Sequence, residues 1–252
     1  MLTTAHIDTF QRDGAVVLRG FFDRAEVARW REQVFDYFGR PAGADEWRSA
    51  LTSRSSDNFR LSAEPTPNSH PALASVYRAL HRPIQIWAGH NQLIVRAGND
   101  PADWEHGCIA HVDIPIYAPL KTLANTVIYL SAVRERGGAF MYWPGSHRVA
   151  WEYFAEFPMD YLASGERTHN EIFKRIESRT TRGATEFTGG PGDLLIWHSL
   201  TLHSASINKR PEERLAIFGR WGVTTERDER HAFEDDIWNS WQFDVEGAHA
   251  SC

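Results

Sequence analysis

The sequence predicts a mainly β fold with supporting α-helices, on three observations. Short apolar runs edged by Gly, Pro and Asn, at residues 92–96, 125–132 and 214–221, have the length and borders of strands. Apolar residues at helical spacing are concentrated in the first third of the chain. Two ligand-type side chains, His111 and Asp113, are spaced two apart. On a strand they point to one face and can grip one metal ion.

Composition narrows the function classes. A chain of 252 residues with 42% hydrophobic and 12% aromatic residues is long enough to bury a large core, and all-β folds of this size are commonly one domain spanning residues 1–252. The net charge of -6 and the absence of a basic run argue against nucleic acid and against an anionic membrane surface. No stretch has the length of a transmembrane helix, and polar and acidic residues within the first dozen positions exclude a signal-peptide apolar region, so the expected location is cytoplasmic. Cys108 and Cys252 make no disulfide framework and read as free thiols. Cys108 precedes His111 by three residues, but no second cysteine supports a structural zinc site.

In chain order, residues 3–13 read as a helix stopped by Gly14, and Ala15 to Leu18 as a strand. Asp23 to Glu26 has the capping-box pattern before Val27, Trp30, Val34 and Phe38, which recur at helical spacing. Residues 41–70 turn to Pro, Ser, Asn and mixed charge, predicting loop with one short element at 47–51; Arg60 there is a weak candidate for a substrate carboxylate. Pro71 starts a helix to about Leu80, and Pro83 is expected to start another that reaches Gly89. Strands follow at 92–96, through His111 and Asp113, and at 125–132. Gly137 and Gly138 turn into a strand that Pro144-Gly145-Ser146 ends before a helix near His147. Residues 150–190 form an aromatic insertion, expected as a lid or as the contact of a homodimer.

A third metal ligand must come from far along the chain. His203 ends an apolar stretch that begins at the Gly192-Asp193 turn, and Arg214 lies eleven residues on, beyond the turn-forming Asn208-Lys209-Arg210-Pro211. Two histidines, one carboxylate and open positions make the facial triad of non-heme iron(II) oxygenases, and a planar guanidinium suits a dicarboxylate co-substrate. His198 competes with His203, but only His203 has the eleven-residue interval to an arginine.

At these residues the chain resembles the phytanoyl-CoA dioxygenase family of iron(II)- and 2-oxoglutarate-dependent oxygenases. The resemblance runs through Phe10 to Phe22, the His111 to Asp113 triplet, Gly137-Gly138 with Pro144 to His147, and Gly192-Asp193 through Arg214, in that order. It implies a double-stranded β-helix, a jelly-roll of two facing antiparallel sheets. It also implies iron(II) on His111, Asp113 and His203, 2-oxoglutarate held by Arg214, and reaction with O2 that releases succinate and CO2. His147 ends the family motif as a structural residue. An aromatic residue near position 129 borders the co-substrate in the family, which brings in Tyr129, and alternation adds Asn125. Where the family often has a serine, this chain has Ala205, so the hydroxyl contact is missing or falls to Ser206.

Hydroxylation of a free small molecule, a secondary metabolite or amino-acid derivative, is the expected reaction, with Arg96, Tyr117 and Trp143 as substrate-pocket candidates. A halogenase is disfavoured because related halogenases carry a small residue where Asp113 stands. Two other readings remain at this stage: a metal-dependent cupin-like enzyme that does not use 2-oxoglutarate, and a non-catalytic cupin-like binding protein.

Overall fold

Capping and glycine chemistry set the first elements. Thr3 and His6 form a reciprocal capping box at the start of α1 (Thr4–Asp13), and Gly14, at φ 73, ends that helix in the left-handed region. β1 (Ala15–Leu18) follows. The Asp23 side chain accepts from the Ala25 N–H to start α2 (Arg24–Phe38), which buries Val27, Trp30, Val34 and Phe38 as its spacing predicts. The computed structural model describes residues 2–80, 86–88, 91–105, 110–113, 120–161, 166–224, 233–239 and 241–244.

Two expectations fail in the next stretch. Residues 41–70 contain a full helix, α3 (Ala44–Ser53), docked by Trp47 edge-on against Phe35 and Phe38. One fully buried indole, with Ala50 and Leu51 half-buried beside it, carries the docking, so the composition reads as loop with only the short element at 47–51. Arg60 bonds the carbonyls of Asp57 and Phe59 and is not on the cavity wall described below. After α4 (Pro71–Leu80), the expected helix from Pro83 is replaced, in its described part, by the strand β2 (Ile86–Ala88). Pairing along an open strand edge satisfies its backbone and overrides local propensity.

The remaining elements are β3 (Gln92–Arg96), β4 (Leu120–Tyr129), β5 (Phe140–Tyr142), α5 (Ser146–Glu156), α6 (Pro158–Tyr161), α7 (Glu166–Arg179), β6 (Thr185–Phe187), β7 (Leu194–His198), β8 (His203–Ala205) and β9 (Arg214–Thr224). A large sheet runs β1-β7-β4-β9-β2, with β3 also on β9, and faces a small sheet β6-β5-β8. Every pairing is antiparallel. Of the strand expected through His111 and Asp113, the described residues 110–113 form a single bridge, His111 to His203.

Alternation sorts the side chains of the large sheet into two layers. Val127, Tyr129, Leu195, Trp197 and Ala216 point inward onto Phe140 and Phe187 of the small sheet. Ile128, Leu194, Ile196, Leu215 and Ile217 point outward and are covered by Phe10, Trp30, Leu73 and Tyr77 from the helices. Each such fully buried aliphatic contributes about 1.5–3 kcal/mol. Two facing sheets with helices outside one of them make a double-stranded β-helix. From the 150–190 segment Tyr153, Phe154, Tyr161, Ile172 and Phe173 turn inward and pack with Val112, Leu200 and Leu202 behind the His111 segment, while Phe157 stays exposed. No described helix is long and apolar enough to cross a membrane.

Candidate metal and co-substrate site

The bridge at the edge of the small sheet brings two imidazoles together. His111 N–H donates to the His203 carbonyl at 2.9 Å and His203 N–H returns the bond at 2.8 Å, which aligns the two residues and leaves their rings 4.2 Å apart. Asp113 N–H is tied to the Ser199 carbonyl, and two residues of extended chain put its carboxylate on the same face as His111. One ligand atom from each of His111, Asp113 and His203 lies within 4.8 Å of the others. His203 Nε2 is 3.5 Å from Asp113 Oδ2.

The neighbours define how those groups present themselves. His203 Nδ1–H donates to the Thr201 carbonyl at 2.9 Å, which leaves Nε2 with its lone pair toward Asp113. Burial, helped by the adjacent His111, pushes His203 down to about 4, so it is neutral at pH 7 and able to donate to a metal. Asn125 donates from Nδ2 to Asp113 Oδ2 at 2.6 Å and orients the carboxylate, and Arg220 comes within 3.9 Å of Oδ1.

A cavity of about 190 Å³ opens beside these residues. Along β9, Arg214, Phe218 and Arg220 line it in alternation, and along β3 so do Gln92, Ile94 and Arg96. Arg214 is 1% exposed, its guanidinium carbon 5.9 Å from the Phe218 ring centre. Strand alternation from Arg214 and Arg96 was the signal that could have found Phe218, Arg220, Ile94 and Gln92.

The structure brings His111, Asp113, His203, Arg214, Asn125 and Arg96 to this cavity, and not Tyr129 or Trp143. Tyr129 faces inward as alternation predicts, but its hydroxyl donates to the Phe187 carbonyl and accepts from the Phe140 N–H, bracing one sheet against the other. Burial raises its pKa, which keeps it a neutral donor. Trp143 is three residues from the cavity-lining Phe140, so period two turns it away, into the cluster with Ala150 and Leu202. Tyr117 and Cys108 lie outside the described residues. Ala205 lines the cavity, while the Ser206 hydroxyl donates to Glu186 and does not replace the missing contact. His198 accepts the Leu200 N–H at Nδ1 and stacks on Trp241, and His147 binds the Gln11 carbonyl; neither lines the cavity.

Comparison with known proteins agrees with this geometry. The family model for phytanoyl-CoA dioxygenase (PhyH) matches residues 10–216. A curated relative, ectoine dioxygenase of Halomonas elongata, is 25% identical over 234 residues, covering 86% of this chain and 69% of its own length. Among solved structures, the epimerase SnoN in complex with Fe3+, alpha ketoglutarate and nogalamycin RO shares the fold at TM-score 0.56 and 18% identity, over 98% of this chain and 91% of its own. HygX from Streptomyces hygroscopicus, with nickel and 2-oxoglutarate bound, shares it at TM-score 0.52 and 16% identity, over 89% and 88%. The residues here fit the same groups: two imidazoles, that of His203 neutral, with a carboxylate suit iron(II) and leave coordination positions open, and a buried guanidinium in the same cavity suits a carboxylate. The chain belongs to the phytanoyl-CoA dioxygenase family and is an iron(II)- and 2-oxoglutarate-dependent dioxygenase.

Proposed function

We propose that this dioxygenase hydroxylates a free small molecule, with His111, Asp113 and His203 holding iron(II) and Arg214 holding the far carboxylate of 2-oxoglutarate. The observation that carries the reading is one cavity containing both a set of three ligand atoms within 4.8 Å and the buried guanidinium of Arg214. When bound, iron(II) with 2-oxoglutarate and O2 supplies the oxidation, 2-oxoglutarate leaving as succinate and CO2 while one oxygen atom goes to the substrate.

The chain supplies orientation and dryness. Thr201 fixes the tautomer of His203, and Asn125 fixes the carboxylate of Asp113. Arg214, out of water, offers a planar pair of donors whose attraction for a carboxylate is stronger than at a solvated surface. Phe140, Trp197 and Phe218 wall the cavity with apolar surface that excludes water from the reacting groups. Asp113 occupies the position that a halogenase leaves for a halide, which supports hydroxylation over halogenation. The ectoine dioxygenase relative, named for a small molecule, supports a substrate of that class.

Anaerobic addition of iron(II) and then 2-oxoglutarate to metal-free protein tests the site. We expect a weak visible charge-transfer band that disappears in Asp113→Ala; iron binding without the band would remove 2-oxoglutarate from the cavity. With a turned-over substrate, succinate should form in step with a product one oxygen atom heavier. A desaturated or cyclised product would overturn hydroxylation and leave the cofactor assignment intact.

A further inference from the structure

Arg96 stands directly across from Arg214. The two are register partners on β3 and β9, so their side chains leave the same face of the sheet, and both line the cavity. Opposed residues in an antiparallel pair have Cβ atoms about 4.5–5.5 Å apart. Two side chains that never lose their charge therefore start from neighbouring positions on the cavity wall, Arg214 buried and Arg96 half-buried. The Arg96 Nε is buried with no hydrogen-bond partner among the described residues. A desolvated cationic donor of this kind is costly unless a ligand meets it.

The base of the residue is also held in place. Asn208 Nδ2 donates to the Arg96 carbonyl at 3.2 Å, and Gly138, at φ 71, packs so closely that a Cβ there would lie 3.2 Å from the Arg96 Cβ. The single acid among the described cavity residues, Asp113, is engaged elsewhere: it accepts from Asn125, which pairs across β4 and β9 with Arg220, six residues along from Arg214. The reacting carbon of a substrate must lie near Asp113 and His203, whereas Arg96 is level with Arg214.

We infer that Arg96 is a second cation for the far carboxylate of 2-oxoglutarate, closing on it from the strand opposite Arg214. A carboxylate has two oxygens and about four acceptor directions, enough for both guanidiniums. The inference rests on the reading that this cavity binds 2-oxoglutarate, and it moves Arg96 from the substrate, where sequence reasoning puts it, to the co-substrate. It makes the enzyme selective for 2-oxo dicarboxylates over 2-oxo monocarboxylates.

The test is equilibrium binding, without turnover. Iron(II)-loaded protein is titrated anaerobically with 2-oxoglutarate and with 2-oxovalerate, the same chain with a methyl group in place of the far carboxylate, following the visible band. Arg96→Met should weaken 2-oxoglutarate on the order of 10- to 100-fold. Its effect on 2-oxovalerate should stay within about twofold, because the lost group has no carboxylate to meet. Equal weakening of both ligands, or none of either, would overturn the role of Arg96. If Arg96→Met does not fold, Arg96→Lys keeps the charge and loses the planar fork, and it should still weaken only the dicarboxylate. A wild-type protein that gives no band removes the co-substrate reading and this inference with it; a wild-type band with an unchanged Arg96→Met titration removes Arg96 alone.

Discussion

Two histidine pairs stand on opposite sides of β7, His147 with His198 and His111 with His203, with ring centres 5.7 and 4.2 Å apart. His147, His198 and His203 are buried and His111 is half-buried, and burial pushes His147 and His203 alike down to about 4. The backbone uses them differently. His147 Nε2–H donates to the Gln11 carbonyl and His198 Nδ1 accepts the Leu200 N–H, while the carboxylate felt by His147, Asp13, is ion-paired to Arg12 and Arg182. At the other pair the Thr201 carbonyl takes Nδ1–H and leaves Nε2 of His203 facing Asp113. A buried neutral imidazole is thus a packing group or a candidate ligand according to what faces its lone pair.

Exchanging the roles is the strongest way to break that comparison. His203→Ala should abolish iron-dependent turnover and weaken iron binding by more than the roughly 10- to 100-fold that loss of an outer partner costs. His198→Ala should keep most of the turnover; the reverse result would transfer the ligand role to the wrong pair. Next in size, Arg214→Ala should raise the 2-oxoglutarate concentration for half-saturation on the order of 100-fold, since it removes a bidentate charged contact. An unchanged requirement would take Arg214 out of the site.

The packing pair is sharpened by smaller effects on stability. A Cβ on Gly14 would run into the His147 ring and the Thr201 hydroxyl, at a residue whose φ of 73 already favours glycine. Gly14→Ala should therefore cost about 1–3 kcal/mol in urea unfolding. The iron affinity of the folded protein should not change; a change there would mean that the two pairs are coupled. Acid should act on His147 in a defined direction. Its folded pKa, about 4, lies below the unfolded value, so the unfolded chain binds the extra proton as pH falls from about 6.5 to 4, and stability declines across that window. That amounts to about 2 kcal/mol between pH 7 and pH 5. The decline should shrink in His147→Gln, and an equal decline in both proteins would assign it to other groups.

Much of this architecture is readable locally. The α1 and α2 boundaries follow from Thr3, Asp23, Gly14 and Gly39, whose cap bonds reach only two to four residues along the chain. The inward set Asn125, Val127 and Tyr129 follows from period two. The failures are non-local. Residues 86–88 read as helix because the strand edge that captures them belongs to β9, more than a hundred residues later. Residues 44–53 read as no more than a short element at 47–51 because their main anchor, Trp47, depends on Phe35 and Phe38 of another helix.

By itself, the sequence determined the β-rich class, the helical layer and the constellation of His111, Asp113, His203 and Arg214, because alternation, caps and motif order are carried by neighbouring residues. Tertiary structure decided the rest. It tied Tyr129 between the sheets, turned Trp143 away from the cavity into a second buried cluster and set Arg96 opposite Arg214, because depth and register depend on how distant strands pair and on where one sheet closes over the other.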